Sequence, residues 1–242
     1  MNPLNRFSEH IWTVSHPLAV AGLQLGARAT IVRLPSDRVM IINPVPFEEP
    51  TKEAIDALGT VDTIVAPNLL HHLFFNDACR HWPDARALTA PGLEDKIELV
   101  ERAVSMGHRG SVEDTIHWRR IEGAPKLEEH VFVDPRDEVL VISDIAFHFV
   151  DHPQWILRMM MRLNGVYGRF GPSRILRRLI DDDEAFGQSL DDLFQWPWDA
   201  IIVAHGENID RDGRRLFVEG FERYLSSEII YSPEILDRSN LQ

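Results

Sequence analysis

The chain has 242 residues, 44% hydrophobic and 26% charged, a composition typical of globular proteins and unlike that of disordered or fibrous chains. Its 38 acidic residues outnumber its 25 lysines and arginines, and the formal net charge of −13 disfavours binding to nucleic acid phosphates. The lone cysteine, Cys79, excludes an internal disulfide, and the sequence shows neither an apolar signal core nor a membrane-spanning apolar run. We therefore expect a cytoplasmic protein that binds neither nucleic acid nor membrane.

Short apolar runs predict strands in the first third of the chain. They are Ile11–Ser15, Arg28–Leu34, Arg38–Asn43 and Asp62–Ala66. Helical spacing predicts a helix over Glu48–Leu58, which lies between the third and fourth of these strands. Asn68 is a suitable N-cap for a second helix, predicted to run as far as Trp82. Helix and loop are predicted to alternate from there to about Met106.

The second half of the chain contains a further group of predicted strands, followed mainly by helices. The strands are Thr115–Ile121, Glu129–Asp134, Glu138–Ser143 and Asp199–Ala204. The helices are Pro153–Leu163, Pro172–Ile180, Glu184–Phe194 and Asp210–Leu225. No repeat or low-complexity linker divides the chain, so we predict one domain over residues 1–242 with a helical insert at about 153–197. This order predicts an α/β fold in which two packed β-sheets have helices outside, a four-layer αββα sandwich.

Histidine and aspartate follow three of the predicted strands, at positions where catalytic and ligand groups are common. His71 and His72 come after the strand that ends at Ala66, Asp144 follows the strand that ends at Ser143, and His205 follows the strand that ends at Ala204. Imidazole and carboxylate are ligands that zinc, iron and manganese accept, so the four side chains predict a metal site. The alternative interpretation is that these side chains serve only in capping and packing.

The same segments resemble the metallo-β-lactamase superfamily in order and spacing. The similar stretches are Ile42-Asn43-Pro44, Asp62-Thr-Ile-Val-Ala-Pro-Asn-Leu-Leu-His-His72, Glu138-Val-Leu-Val-Ile-Ser-Asp144 and Ile201-Ile-Val-Ala-His-Gly206. In that family they correspond to an Ile-Asp-Thr-Gly turn, the strand before a His-x-His-x-Asp-His motif, a strand ending in Gly-Asp and a closing strand with His-Gly. The likeness extends over about residues 8 to 225, is closest to an uncharacterised branch, and implies the family's αββα fold.

Departures from the family motif imply that one of its two metal sites is lost. If His72 matches the last histidine of the motif, Leu69 and Pro67 stand at its two earlier histidines and cannot ligate a metal. Lys126 is the best match to a further family histidine, whereas His130 would need a shifted loop. The resemblance thus implies at most one zinc, iron or manganese ion. Its ligands would be His71, His72, Asp144 and His205.

Two functions of different classes are compatible with these residues. The first is that of a hydrolase, in which one metal ion lowers the pKa of a bound water. Asp144 would ligate the metal and orient the water, while Lys126 would hold an anionic leaving group. The second is that of a metal-free descendant of the fold, which binds a ligand or a protein through the same cleft. The substrate would be a small molecule, anionic or neutral, such as an ester, thioester, lactone or phosphoester, and the oligomeric state is open.

Residues 158–178 form an unusual basic stretch in this acidic chain. They contain six arginines and no acidic residue, and glycines at 165, 168 and 171 interrupt any long helix. We predict a flap or helical insert beside the cleft, because guanidinium groups can grip the carboxylate or phosphate of an anionic ligand. A solvated amphipathic helix and a partner-binding surface are the alternatives.

Overall fold

Two large β-sheets form the centre of the computed structural model, which describes residues 3–20 and 22–232. The ends of the predicted 1–242 domain and Ala21 lie outside these described residues. The first nine strands are β1 (Asn5–Arg6), β2 (Ile11–His16), β3 (Ala19–Val20), β4 (Leu23–Gln24), β5 (Ala27–Arg33), β6 (Arg38–Ile42), β7 (Thr60–Ala66), β8 (Arg86–Thr89) and β9 (Ala103–Ser105). All except the β3–β4 hairpin join one sheet in the order β1-β2-β5-β6-β7-β8-β9, with parallel pairing from β6 onward.

The remaining strands are β10 (Arg109–Val112), β11 (Ile116–Arg120), β12 (His130–Asp134), β13 (Val139–Ile142), β14 (Phe147–His148), β15 (Phe170–Gly171) and β16 (Ala200–Val203). The second sheet has the order β10-β11-β12-β13-β16, and a separate pair is formed by β14 and β15. Strands β13 and β16 are parallel, so both end at the same edge of the sheet. The apolar runs of β7, β13 and β16 are buried, as expected for strands covered on both faces.

The described residues form seven α-helices. They are α1 (Glu49–Asp56), α2 (Phe75–His81), α3 (Trp155–Asn164), α4 (Arg174–Arg177), α5 (Asp183–Asp191), α6 (Gly213–Phe221) and α7 (Ser227–Ile230). Two 3₁₀ turns, Leu93–Asp95 and Asp192–Gln195, complete the described helical segments. No helix formed by the described residues has the length and hydropathy needed to cross a bilayer.

Alternating side chains divide the core into layers. Met40 and Ile42 of β6 point between the sheets, where they join a cluster with Phe132 and Val141 of the second sheet. Ile41 points the other way, into a cluster that includes buried residues of α1 and α2. A third cluster joins the outer face of the second sheet to α5 and α6. The order is therefore helix, sheet, sheet, helix, and the predicted αββα sandwich is confirmed.

The structure corrects the predicted helix over Asn68–Trp82. Helix α2 begins only at Phe75, and the residues before it form a loop. The Asn68 side chain does accept hydrogen bonds from nearby N–H groups, as a cap would. The following residue, Leu69, donates its N–H to the carbonyl of Leu127, which ties the segment to a neighbouring loop instead of a helix.

Candidate metal centre

Three of the predicted ligands converge at the carboxyl ends of the strands. His71 follows β7, Asp144 follows β13 and His205 follows β16. The Nε2 atom of His71 lies 3.0 Å from Asp144 Oδ2 and 3.2 Å from His205 Nε2. The Nε2 atom of His205 lies 3.6 Å from Asp144 Oδ1, and all three side chains are almost completely buried. The two sheets together thus build one compact group of ligand atoms.

Hydrogen bonds on the far side of each ring fix the tautomers of the two histidines. His71 Nδ1 lies 2.8 Å from Asn43 Oδ1, and the Asn43 amide is oriented by the 2.8 Å bond that its Nδ2 donates to the Arg28 carbonyl. His205 Nδ1 lies 2.7 Å from the Gly26 carbonyl. Because both partners only accept, both Nδ1 atoms must carry hydrogen. In the neutral rings both Nε2 atoms therefore present lone pairs to the centre of the group.

The resulting cluster of acceptors fits a divalent metal ion. Two imidazole lone pairs and a carboxylate facing one another repel unless a cation, either a proton or a metal, lies between them. Ligand atoms around a tetrahedral zinc ion with bonds of about 2.0–2.1 Å are roughly 3.3 Å apart. The 3.0 Å between His71 Nε2 and Asp144 Oδ2 and the 3.2 Å between the two Nε2 atoms are close to this spacing, and one ligand atom from each of the three residues lies within 4.8 Å of the other two. Metal-bound histidines usually also donate the N–H of their other ring nitrogen to an acceptor, as both Nδ1 atoms do here.

The Asp144 carboxylate is set up as an ionised ligand. Burial alone would raise its pKa, but the adjoining His71 and His205 outweigh burial and hold the pKa below its usual range. Behind it, the fully buried Glu129 accepts the backbone N–H groups of Ser143 and Asp144, each at 2.7 Å. Burial and the charge of Asp144 raise the pKa of Glu129 to about 7.

The Asn68 amide connects these two carboxylates to the loop that carries His71. Its Nδ2 donates to Glu129 Oε2 at 3.0 Å and to Asp144 Oδ2 at 2.8 Å. Its Oδ1 accepts the N–H groups of Leu70 and His71, both at 2.8 Å. All four hydrogen-bonding positions of the buried amide are therefore used within the site.

The three ligands line a pocket of about 330 Å³. The other lining residues are mostly apolar, and they include Leu18, Val20, Leu25, Pro44, Leu70, Leu73 and Phe74. A concave apolar pocket with a few convergent polar groups is the usual form of a small-molecule site.

Comparison of sequences and of structures gives different results. No protein-family model and no curated protein matches the sequence. The structure, however, matches the DIM-1 metallo-β-lactamase exposed to ceftazidime with a TM-score of 0.63 and 11% identity, over 91% of this chain and 94% of that one. It matches a metallo-β-lactamase from Hirschia baltica with a TM-score of 0.61 and 8% identity, over 93% and 98% of the two chains. The chain has the metallo-β-lactamase fold.

The structure also matches a protein that is described as a flavodiiron core and not as a β-lactamase. The Flv1 flavodiiron core from Synechocystis sp. PCC6803 matches with a TM-score of 0.58 and 14% identity, over 91% of this chain and 60% of that one. The resemblance predicted from the sequence is therefore confirmed for the metallo-β-lactamase fold. At these identities, the matches establish architecture and not activity.

Within this metallo-β-lactamase fold, the remaining predicted site residues lie apart from the three ligands. His72 lines the same pocket but is outside the group of ligand atoms. Its pKa is lowered by burial, then by Lys96 and His71. Lys126 is exposed on the loop before β12 and lies outside the pocket lining, while His130 Nε2 pairs with the Gly107 carbonyl at 3.1 Å. The predicted roles of His72 as a ligand and of Lys126 at the leaving group stay predictions.

Sequence analysis assigned no role in the site to Asn43 or Glu129. Asn43 follows the buried strand β6 with a left-handed backbone (φ 55°), a conformation in which asparagine is enriched. An asparagine directly after a buried strand was the signal in the sequence that could have identified this residue. Glu129 directly precedes the fully buried strand β12. A carboxyl group beside a buried apolar strand needs hydrogen-bond partners. Neither signal by itself names the partner, because the partners come from distant segments.

Proposed function

We propose that the protein is a hydrolase that uses one divalent metal ion held by His71, Asp144 and His205. The observation that best supports this proposal is the convergence of two imidazole Nε2 atoms, with their tautomers fixed, on one ionised carboxylate. Three protein ligands with an open position are typical of catalytic metal sites, whereas structural sites are closed by four.

The chemistry would be activation of water next to an apolar pocket. A bound divalent ion supplies Lewis acidity and lowers the pKa of its water toward about 7. Asp144 Oδ2 accepts a hydrogen bond from Asn68 Nδ2, so Oδ1 would be the oxygen available to accept a hydrogen bond from the nucleophilic water. As a metal ligand Asp144 would be ionised, so it would orient the water and would not retain its proton. The apolar walls exclude bulk water and favour a substrate with apolar groups beside its electrophilic centre.

Metal content tests the proposal most directly. Protein purified without chelator and then reconstituted with zinc, iron or manganese should contain about one equivalent of metal by elemental analysis. His205→Ala and Asp144→Ala should each lose it, because two ligands hold a metal far more weakly than three. His108→Ala, at an exposed histidine outside the pocket, is the matched control. Metal content near zero in the reconstituted protein would contradict the proposal and support a metal-free binding module.

Activity should follow the same residues. In a panel of ester, thioester, lactone and phosphoester substrates, the protein should hydrolyse at least one class faster than buffer alone does. Asp144→Asn, which keeps the shape of the side chain but removes its charge, should reduce this rate by roughly 100-fold or more. A rate that is unchanged in Asp144→Asn would show that the hydrolysis occurs elsewhere.

A further inference from the structure

Helix α3 presents an apolar stripe to solvent. Trp155, Met159 and Leu163 are spaced four residues apart and therefore lie along one side of the helix. They are 62%, 43% and 59% exposed, respectively. On the opposite side, Leu157 and Met161 are buried. The helix thus has two apolar sides, of which the fold covers only one.

The buried side of α3 rests on the β3–β4 hairpin beside the candidate metal centre. Leu157 and Met161 belong to a small core cluster against which Leu23 and Leu25 pack. The Gln154 side chain holds the same hairpin, accepting the N–H of residue 24 at 3.0 Å and donating to the carbonyl of residue 22 at 3.0 Å. Leu25 also lines the pocket. The exposed stripe therefore lies on the side of α3 that faces away from this hairpin.

Arginines without acidic partners accompany the stripe. Four exposed arginines of the basic segment form no ion pair with a carboxylate within the described part of the chain; they are Arg162, Arg169, Arg174 and Arg178. Arg162 lies on α3 itself, with its guanidinium carbon 4.2 Å from the centre of the Tyr167 ring. Arg174 lies beside the C-terminal end of α3. Its Nε atom is 3.9 Å from the position that a Cβ atom would take at Gly165, the C-cap of the helix. Unneutralised positive charge therefore adjoins the apolar stripe.

We propose that α3 docks on the surface of a lipid bilayer that contains anionic lipids. An interfacial helix combines tryptophan and aliphatic side chains on one face with arginine or lysine beside them, and α3 with Arg162 and Arg174 has this composition. Charge complementarity selects the face, because a chain of net charge −13 is repelled by an anionic surface everywhere except at a local basic patch. The helix has ten residues, about 15 Å long, so it lies on the bilayer and does not span it.

This proposal revises the prediction that the protein binds no membrane. That prediction used the net charge and the absence of a long apolar run, which are properties of the whole chain. Neither property bears on a short surface helix. The proposal is also independent of the metal, so failure of vesicle binding and failure of metal binding would be separate results.

Vesicle co-sedimentation tests the proposal. The whole protein should sediment with vesicles made of equal parts phosphatidylcholine and phosphatidylserine, and much less with phosphatidylcholine alone. High salt should weaken the binding, because it screens the arginines. Equal binding to both vesicle types, or binding to neither, would contradict an anionic lipid surface as the partner.

Matched variants locate the surface. Arg162→Gln with Arg174→Gln should lower the partition coefficient about 30-fold, since each arginine near an anionic surface contributes about fivefold. Met159→Glu should abolish binding, because it places a charge in the centre of the stripe. Val104→Glu and Arg109→Gln alter an exposed valine and an exposed arginine on strands away from α3 and should bind as the wild type does. If the controls lose binding equally, the proposed surface is wrong.

Two further measurements separate insertion from self-association. Fluorescence quenching by brominated lipid should be observed for the wild type and should largely disappear in Trp155→Phe, which retains five of the six tryptophans. Sedimentation velocity should show the same mass for the wild type and Met159→Glu. A wild-type dimer that Met159→Glu converts to a monomer, without vesicle binding, would show that a second copy covers the stripe and would overturn the proposal.

Discussion

Asn68 is the residue on which the geometry of the candidate metal centre most depends. Its amide joins the His71 loop to both buried carboxylates, so Asn68→Ala removes one anchor from two ligands at once. We expect the affinity for metal to fall about 10- to 100-fold, as is usual when a partner of a ligand is lost. We also expect the free energy of unfolding to fall by about 1–3 kcal/mol, because two buried carboxylate oxygens each lose one donor.

Titration of zinc against a competing chelator measures the first effect, and urea unfolding measures the second. The control is Asn76→Ala, which removes an amide that donates to a backbone carbonyl outside the pocket. Zinc affinity that is equal in Asn68→Ala and the wild type would mean that the ligands are held in place without Asn68.

His130 makes the stability of the fold depend on pH. Burial lowers its pKa from 6.5 to about 4, even though its Nε2 pairs with the Gly107 carbonyl. Because the folded pKa lies below the unfolded pKa, the stabilisation is complete above about pH 6.5 and is lost as the pH falls toward 4. The expected loss is roughly 3 kcal/mol, from about 1.4 kcal/mol for each pKa unit.

Urea unfolding at pH 7 and pH 5 compares the wild type with His130→Gln, whose amide can still donate to Gly107. The wild type should lose more stability between these pH values than the variant does. All other titrating groups are shared, so they cancel in the difference. Parallel losses in the two proteins would show that His130 does not titrate with a lowered pKa.

At the scale of elements, strands made of unbroken apolar runs could be predicted, and short strands of mixed composition could not. The runs that became β7, β13 and β16 contain enough consecutive buried residues to identify a strand from the sequence. Strands β8, β9 and β10 are about as short as β13 and β16, but polar residues or glycine accompany their apolar residues. They were missed because neighbouring strands stabilise them more than their own composition does. The helix predicted from Asn68 was too long for a related reason, since its first half is determined by contacts with a distant loop.

The same distinction applies to the site. Each of His71, Asp144 and His205 follows a predictable strand, so their positions at the carboxyl ends of strands could be predicted from the sequence. The tautomers of the histidines depend instead on Asn43 and Gly26, which approach from another part of the first sheet. Contacts of this kind follow from the packing of the two sheets, and no local pattern encodes them.

For the molecule as a whole, the candidate metal centre lies where the two sheets meet. The first sheet supplies His71, and the second supplies Asp144 and His205. Arg28 of β5 reinforces the same junction, because its guanidinium donates to the carbonyls of Val203 and Gly206 at the end of β16. A metal ion at this position would therefore cross-link the two halves of the sandwich.

The cross-link predicts that metal stabilises the entire fold. A ligand that binds only the folded state, present at 100 times its Kd, adds about 2.7 kcal/mol to the free energy of unfolding. For a chain of this length, that corresponds to a rise in Tm of roughly 5–10 °C. Calorimetry with and without zinc should show this rise in the wild type and not in His205→Ala, which removes the ligand contributed by β16. Because the ligands come from both sheets, the transition should stay single and move as a whole. A rise of equal size in His205→Ala would place the bound zinc elsewhere, and a second transition that zinc does not move would show that the two sheets unfold separately.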